Sequence, residues 1–217
     1  MESSKGQALG ADNIENLIPE DDTKFGVLLL GAPGTGKTTF CKAFHEFLNL
    51  HYSRKHCLVN LDPANENISY PAGIDVQDLI SLEDAMEEYK LGPNGGMLYC
   101  ADFLHTNLQW LSDEIEKKLL NDKCRYFIFD LPGQTELYTN HNALQSIIKT
   151  LEKQHAFRFV AVHMIDVSYL YDRYKFLAAM TLSLTSLIGI EIPFINLITK
   201  MDLMKTMGRP DMNLSFY

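Results

Sequence analysis

At 217 residues, with 46% hydrophobic and 22% charged residues, the chain has the size and composition of one globular domain with a full core. A formal net charge of −9 leaves no broad basic surface, which argues against a nucleic-acid backbone as its main ligand. No basic segment followed by an apolar stretch opens the chain, and the longest apolar region, Leu182 to Ile198, is interrupted by Glu191, Pro193 and Asn196, so neither a secretory signal nor a membrane span is expected. Residues 1–24 hold six acidic and two basic residues, a local charge of −4, and read as a disordered acidic tail. From Phe25 onward, short runs that are apolar throughout alternate with helical patterns. The strand candidates are Phe25–Leu30, Cys57–Leu61, Tyr126–Phe129, Phe159–Ile165 and Phe194–Ile198. Apolar runs of this kind suit strands buried on both faces. Thr38–Leu50 reads as a helix. Leu104, Leu108, Leu111, Ile115 and Leu119 recur at helical spacing with charges between them and predict one amphipathic helix. Phe176, Met180, Leu184 and Leu187 mark another, and both stripes read as core. Strands alternating with helices predict a parallel α/β sheet over residues 25–217. The four cysteines, Cys41, Cys57, Cys100 and Cys124, form no C-x-x-C pair, and Cys57 and Cys124 flank apolar runs as reduced core thiols do.

The first strand runs directly into Gly31-Ala32-Pro33-Gly34-Thr35-Gly36-Lys37-Thr38, which fits G-x-x-x-x-G-K-[ST] at every defined position. Its glycines let backbone N–H groups approach phosphate oxygens, and the following helix aims the positive end of its dipole at them. Lys37 reaches the β- and γ-phosphates, and Thr38, with Thr39 beside it, brings a hydroxyl to Mg²⁺. A nucleoside triphosphate is the expected ligand. Tyr126–Phe129 ends in Asp130-Leu131-Pro132-Gly133-Gln134. A carboxylate at the end of a buried strand beside a phosphate loop is the Walker-B arrangement for Mg²⁺. Gly133 would bring its N–H to the γ-phosphate, and Gln134 could orient an attacking water. Ile198 is followed by Thr199-Lys200-Met201-Asp202, which resembles the [NT]-K-x-D element that reads guanine. The Asp202 carboxylate would accept from N1–H and the 2-amino group of guanine, which adenine does not offer. Asp62, in Asn60-Leu61-Asp62-Pro63-Ala64-Asn65-Glu66, is expected at the carboxyl edge of the sheet, where α/β proteins bind ligands. Leu91-Gly92-Pro93-Asn94-Gly95-Gly96-Met97 has the composition of a tight turn between helices.

Together, Gly31–Thr38, Asn60–Glu66, Leu91–Cys100, Asp130–Leu137 and Thr199–Leu203 closely resemble the GPN-loop GTPases, most of all the second of the eukaryotic paralogues. The resemblance implies a P-loop NTPase three-layer sandwich with a mostly parallel central sheet. It implies a hydrolase acting on GTP with Mg²⁺ held by Thr38, Asp130 and Asp62. It implies a homodimer, or a heterodimer with a paralogous GPN-loop GTPase, in which Asn94 enters the partner's site. Lys37, Asp62, Asn94 and Gln134 would then carry catalysis. The family's role in assembly and nuclear import of RNA polymerases II and III implies polymerase subunits or assembly factors as partners, with no direct nucleic acid and no membrane. It also implies a cytoplasmic location with shuttling to the nucleus. Members of the family continue well past Thr-Lys-x-Asp, so with its end at Tyr217 the chain is expected to lack the C-terminal part and to bind guanine less tightly.

Two other classes stay open at this stage. A nucleotide or polynucleotide kinase shares the phosphate loop, but Arg54, Arg125, Arg158, Arg173 and Arg209 are scattered and form no recognisable lid. A truncated, non-catalytic subunit that binds a partner is the other.

Overall fold

The computed structural model describes residues 23–208 apart from 53, 66, 67 and 140. The expected acidic tail through residue 22, Glu66 and the segment Met212–Tyr217 therefore lie outside the described residues. Lys24, read as the last residue of the tail, opens the first strand and is buried beside Thr23.

Six strands form one sheet: β1 Lys24–Leu30, β2 Cys57–Asn60, β3 Ile74–Asp75, β4 Tyr126–Asp130, β5 Phe157–Asp166 and β6 Phe194–Thr199. Their order is β3-β2-β4-β1-β5-β6, and every pairing is parallel. Among the described residues there are eight α-helices: α1 Lys37–His51, α2 Leu82–Tyr89, α3 Pro93–Thr106, α4 Leu108–Asp122, α5 Glu136–Thr139, α6 Ala143–His155, α7 Arg173–Ile190 and α8 Met204–Met207. Successive β1 side chains point to opposite faces. Leu28 and Leu30 join the core under α3, α4 and α6, while Val27 and Leu29 join the core under α1. That is the expected three-layer α/β sandwich.

The larger core is built on aromatics from neighbouring strands. Phe127, Phe129, Phe157 and Phe159 make ring contacts with centroids 5.0–6.3 Å apart. Gly26 on the central strand makes room for them, because a Cβ there would stand 2.2 Å from the Phe159 ring. The central position of β1 also places the loops after β1 and β4 side by side. Register pairs Leu29 with Asp130, so the phosphate loop and the Asp130 carboxylate emerge together at the carboxyl edge.

Four expectations are corrected. The stripe from Leu104 to Leu119 spans two helices, since Asn107 leaves helical geometry between α3 and α4 (φ −103°, ψ 32°). The segment Leu91–Met97 is mostly helix rather than turn: Gly92 caps α3 and Pro93 occupies its first turn, where a missing N–H costs nothing. Gly96 lies inside that helix and lets α2 approach, because a Cβ there would meet Leu82 and Met86 at 2.8 and 2.9 Å. In α7 the buried positions are Ser183, Ser186, Leu187 and Ile190, while Leu184 is 56% exposed. This helix is apolar nearly all round, so periodicity does not mark its inner face. The two serines do, since they allow close approach to the sheet, and Ser183 Oγ donates to Asn196 Oδ1 at 3.1 Å. Finally, among the described residues β6 lies at the edge of the sheet, and Phe194 and Ile195, expected in a strand buried on both faces, are 45% and 58% exposed.

Truncating Phe129 to Ala should destabilise the fold by about 3–5 kcal/mol, through lost burial and the cavity left among four rings. Leu50→Ala, at a site 79% exposed, should change stability by no more than about 0.5 kcal/mol. Urea unfolding of both variants beside the parent chain checks the contrast.

Candidate nucleotide site

Gly34 and Gly36 hold left-handed backbone (φ 77° and 95°), which glycine adopts without strain. Gly36 caps α1 with no side-chain partner, so the first N–H groups of that helix face the concave loop. Gly31 is tightly placed too, since a Cβ there would stand 2.6 Å from the Met164 carbonyl oxygen. Thr35 is buried and its hydroxyl donates to Ala32 O at 2.8 Å, which fixes the turn from inside. Thr199 Oγ1 donates to Thr35 O at 2.8 Å and so ties the end of β6 to the phosphate loop.

A cavity of about 560 Å³ opens over this loop. Pro33, Gly34, Gly36, Lys37, Thr38 and Thr39 line it from the phosphate loop. Asp62 enters after β2, Gly133 and Gln134 after β4, and Lys200 after β6. A volume of this size suits a mononucleotide. Gly133 packs against the loop so closely that a Cβ would stand 3.0 Å from the Pro33 backbone and 3.1 Å from Lys37 Nζ.

Electrostatics concentrate on three groups. Lys37 Nζ donates to Gly31 O at 2.9 Å and Ala32 O at 3.3 Å. Burial lowers its pKa, against the opposing pull of Asp130 and Asp62. Burial raises the pKa of Asp130, which is 1% exposed, while hydrogen bonds from Thr38 and Tyr70 and the charge of Lys37 act the other way. Thr38 Oγ1 donates to Asp130 Oδ2 at 2.9 Å, and the Tyr70 hydroxyl donates to the same oxygen at 3.1 Å. Burial also raises the pKa of Asp62, opposed by the Ala64 N–H and by Lys37. Hard oxygen donors from Thr38 and Asp130 in contact, with Asp62 lining the same cavity, fit Mg²⁺, which takes few protein ligands and prefers oxygen. Among the described residues no group of three or more His, Cys, Asp or Glu could hold a metal by itself. A Mg²⁺ held by these few donors leaves coordination positions for water and phosphate oxygens.

The remaining expected residues fall into two groups. Asn94 is exposed at the start of α3, and its Oδ1 accepts from Gln134 Nε2 of the same chain at 3.1 Å. Its neighbours Pro93 and Met97 line the cavity. Lys200 pairs with Asp166 at the end of β5, Nζ to Oδ2 2.7 Å. Burial alone would raise the Asp166 pKa, but hydrogen bonds from Lys200 and Ser168 outweigh it and hold it below the usual value. Asp202 is exposed in the 3₁₀ turn Met201–Leu203, one turn beyond Lys200 and outside the lining of the cavity.

Sequence reasoning missed three contributors. Tyr70 has no local signal, because its partner Asp130 is sixty positions away and meets it only through the fold. Asn65 Nδ2 donates to Thr38 Oγ1 at 3.4 Å. Asn60 is buried, donates to Asp62 O at 3.2 Å and to Asp75 Oδ1 at 2.9 Å, and accepts from Asp62 N at 3.2 Å. It stood inside the quoted Asn60–Glu66 motif, and a buried amide next to a strand end was a readable signal of a clamp.

Comparison with known proteins agrees with this geometry. A family model described as a conserved hypothetical ATP binding protein matches residues 29–217. GPN-loop GTPase 2 of Danio rerio is 44% identical over 194 residues, covering 89% of this chain and 60% of the relative. GPN-loop GTPase 3 of Kluyveromyces lactis is 43% identical over 183 residues, covering 84% of this chain and 66% of the relative. The chain thus spans less than two thirds of the length of these curated relatives. A crystal structure described as a GTPase in apo form from Pyrococcus abyssi is similar with a TM-score of 0.71 at 24% identity, covering 84% of this chain and 70% of that one, a likeness of fold. Matched over most of its length by the family model, and with the phosphate loop, Pro93 of Gly92-Pro93-Asn94 and Gly133-Gln134 around one cavity, the chain belongs to the GPN-loop GTPase family.

Proposed function

We propose that the chain binds GTP with Mg²⁺ and hydrolyses it to GDP and phosphate. The observation that carries this reading is the convergence of the phosphate loop, Gln134 and Lys200 around one cavity, with Asp130 bonded to Thr38 and Thr199 bonded to Thr35 at its margin. Phosphoryl transfer to water needs positioning and charge stabilisation more than covalent chemistry. Lys37 leaves the loop carbonyls for the phosphates, and the loop N–H groups hold their oxygens. Mg²⁺, when bound, neutralises phosphate charge, and Thr38, Asp130 and Asp62 are the residues that would hold it. Tyr70 fixes the Asp130 carboxylate from behind. Gln134 orients the water. The family model's description names ATP and the relatives' names GTP; the Thr199-Lys200-Met201-Asp202 segment favours guanine.

A dimer, in which Asn94 acts in the partner's site, is supported by the family resemblance. So are a role in assembly and nuclear import of RNA polymerases II and III and a cytoplasmic location with shuttling to the nucleus. A second reading of Asn94 is favoured by its 3.1 Å contact with Gln134 in the same chain: action in cis.

Titration with fluorescent GTP and ATP analogues checks the ligand. Lys37→Ala should abolish binding of both. Asp202→Ala should weaken GTP alone by about 1.5–3 kcal/mol, the worth of hydrogen bonds to a charged acceptor. Equal affinity of the parent chain for both nucleotides would sink guanine selection. In turnover assays, Gln134→Ala should slow hydrolysis on the order of 10²-fold with nucleotide affinity unchanged. Mixing Asn94→Ala with Lys37→Ala chains separates the two roles of Asn94: action in trans restores up to half of the activity, and action in cis restores none. Mg²⁺-dependent binding should also fall with acidity. Asp62 and Asp130 hold a cation only when ionised, and burial raises both pKa values, so binding is lost as pH falls through a midpoint above the ordinary Asp value of about 3.9. A Mg²⁺ titration between about pH 7 and pH 4.5 reads that midpoint.

A further inference from the structure

A second cavity, of about 600 Å³, lies at the opposite edge of the sheet, where β2, β3 and β4 begin. His45, Asn49, Arg54, Lys55, Lys118 and Asn121 bring its polar groups together. A smaller pocket of about 180 Å³ adjoins it, shares Arg54 and Lys55 with it, and adds Lys123 and Arg125. Asp122 is the acid that lines either one, and it reaches Lys118 only at 4.0 Å.

The charge balance at this edge is positive in a chain whose net charge is −9. Arg54, Lys55, Lys118 and Lys123 supply about four positive charges before Arg125 is counted. Asp122 removes one. The carboxyl ends of α1 and α4 bring about half a negative charge each. Glu46, whose charge acts on His45, offsets one more, so about one positive charge remains uncompensated before Arg125. Among the described residues Arg54 and Lys55 make no ion pair, and the Arg54 guanidinium is held 4.3 Å from the centre of the Tyr126 ring.

The wall of the cavity is fixed by two histidines. His56 Nδ1 lies 2.6 Å from Arg54 O, so that nitrogen carries the proton and His56 Nε2 is an acceptor. His45 Nδ1 therefore donates to it at 2.8 Å, and His45 Nε2 accepts from Asn49 Nδ2 at 3.0 Å. Every ring nitrogen is used, and burial, then the neighbouring His56, lowers the His45 pKa. The imidazoles are thus scaffold, and the open charge belongs to Arg54, Lys55 and Lys118. Buried Cys57 and Cys124 form an apolar floor.

We propose that this rear cavity is a binding site for a small phosphate-bearing anion, separate from the nucleotide cavity and served by Arg54, Lys55 and Lys118. Its volume admits a molecule as large as a nucleoside monophosphate. A guanidinium held on an aromatic ring, an ammonium with no ion pair among the described residues and a second ammonium only loosely paired are the chemistry that phosphate oxygens take.

Calorimetric titration of the full chain carrying Lys37→Ala, which disables the phosphate loop, tests it. The probes are pyrophosphate and AMP, which separate a free polyphosphate from a phosphate on a nucleoside. Saturable binding of either probe at one site per chain is expected. It should weaken at least about tenfold when Arg54→Ala and Lys118→Ala are added, and also when the exposed Lys55→Glu is added alone in case the double variant folds poorly. Against an intact phosphate loop, the same changes should leave GTP binding unaltered. Absence of saturable binding by both probes, or binding that ignores these substitutions, overturns the proposal.

Discussion

Asp130 is a carboxylate held almost entirely out of water, and the geometry of the nucleotide site follows from how that charge is accommodated. The effective penalty for burying such an ion is several kcal/mol. Hydrogen bonds from Thr38 and Tyr70 to one oxygen, each worth about 1.5–3 kcal/mol to a charged acceptor, offset much of it. The donors come from opposite directions. Thr38 begins α1, and Tyr70 precedes β3. Satisfying Asp130 therefore holds the phosphate loop, the strand β4 and the β2–β3 connection together. The parallel pairing of β1 with β4, in the register that sets Leu29 against Asp130, makes this triad possible. The aromatic core beneath, with Gly26 making room for Phe159, sustains that register.

The sheet has two edges with opposite characters. At the carboxyl edge, glycine-rich loops and a helix N-terminus present N–H donors, and oxygen donors for a cation lie among them. At the amino edge, lysines and arginines gather around a wall of two hydrogen-bonded histidines. Both edges suit phosphate chemistry by different means, one through backbone dipoles and a metal, the other through side-chain charge. The Gly92-Pro93-Asn94 segment belongs to the first edge. As a helix start rather than a loose turn, it brings Asn94 to Gln134 with a fixed orientation.

Much of this was readable locally. The phosphate loop, Asp130–Gln134 and Thr199–Asp202 are contiguous motifs, and all five expected strands lie within two residues of the observed ones at each end. What escaped depended on distant partners. Ile74–Asp75 forms a strand only because Val59 and Asn60 lie beside it. Tyr70 is a site residue only once β4 stands beside β1 and β2. The break at Asn107 was hidden because the apolar spacing continues smoothly from α3 into α4. Leu184 was misplaced because α7 is apolar on most faces, and its serines, not its leucines, mark the side that meets the sheet.

On the proposed reading, the cavity takes the phosphates of GTP and Asp202, just beyond its lining, takes the base. A crystal structure of the chain with Mg²⁺ and a non-hydrolysable GTP analogue tests it most directly. The expected result is Mg²⁺ held by Thr38 and Asp130, and Asp202 facing N1 and the 2-amino group of guanine. A nucleotide seated with its base away from Asp202, or a metal held without Thr38 and Asp130, would contradict it.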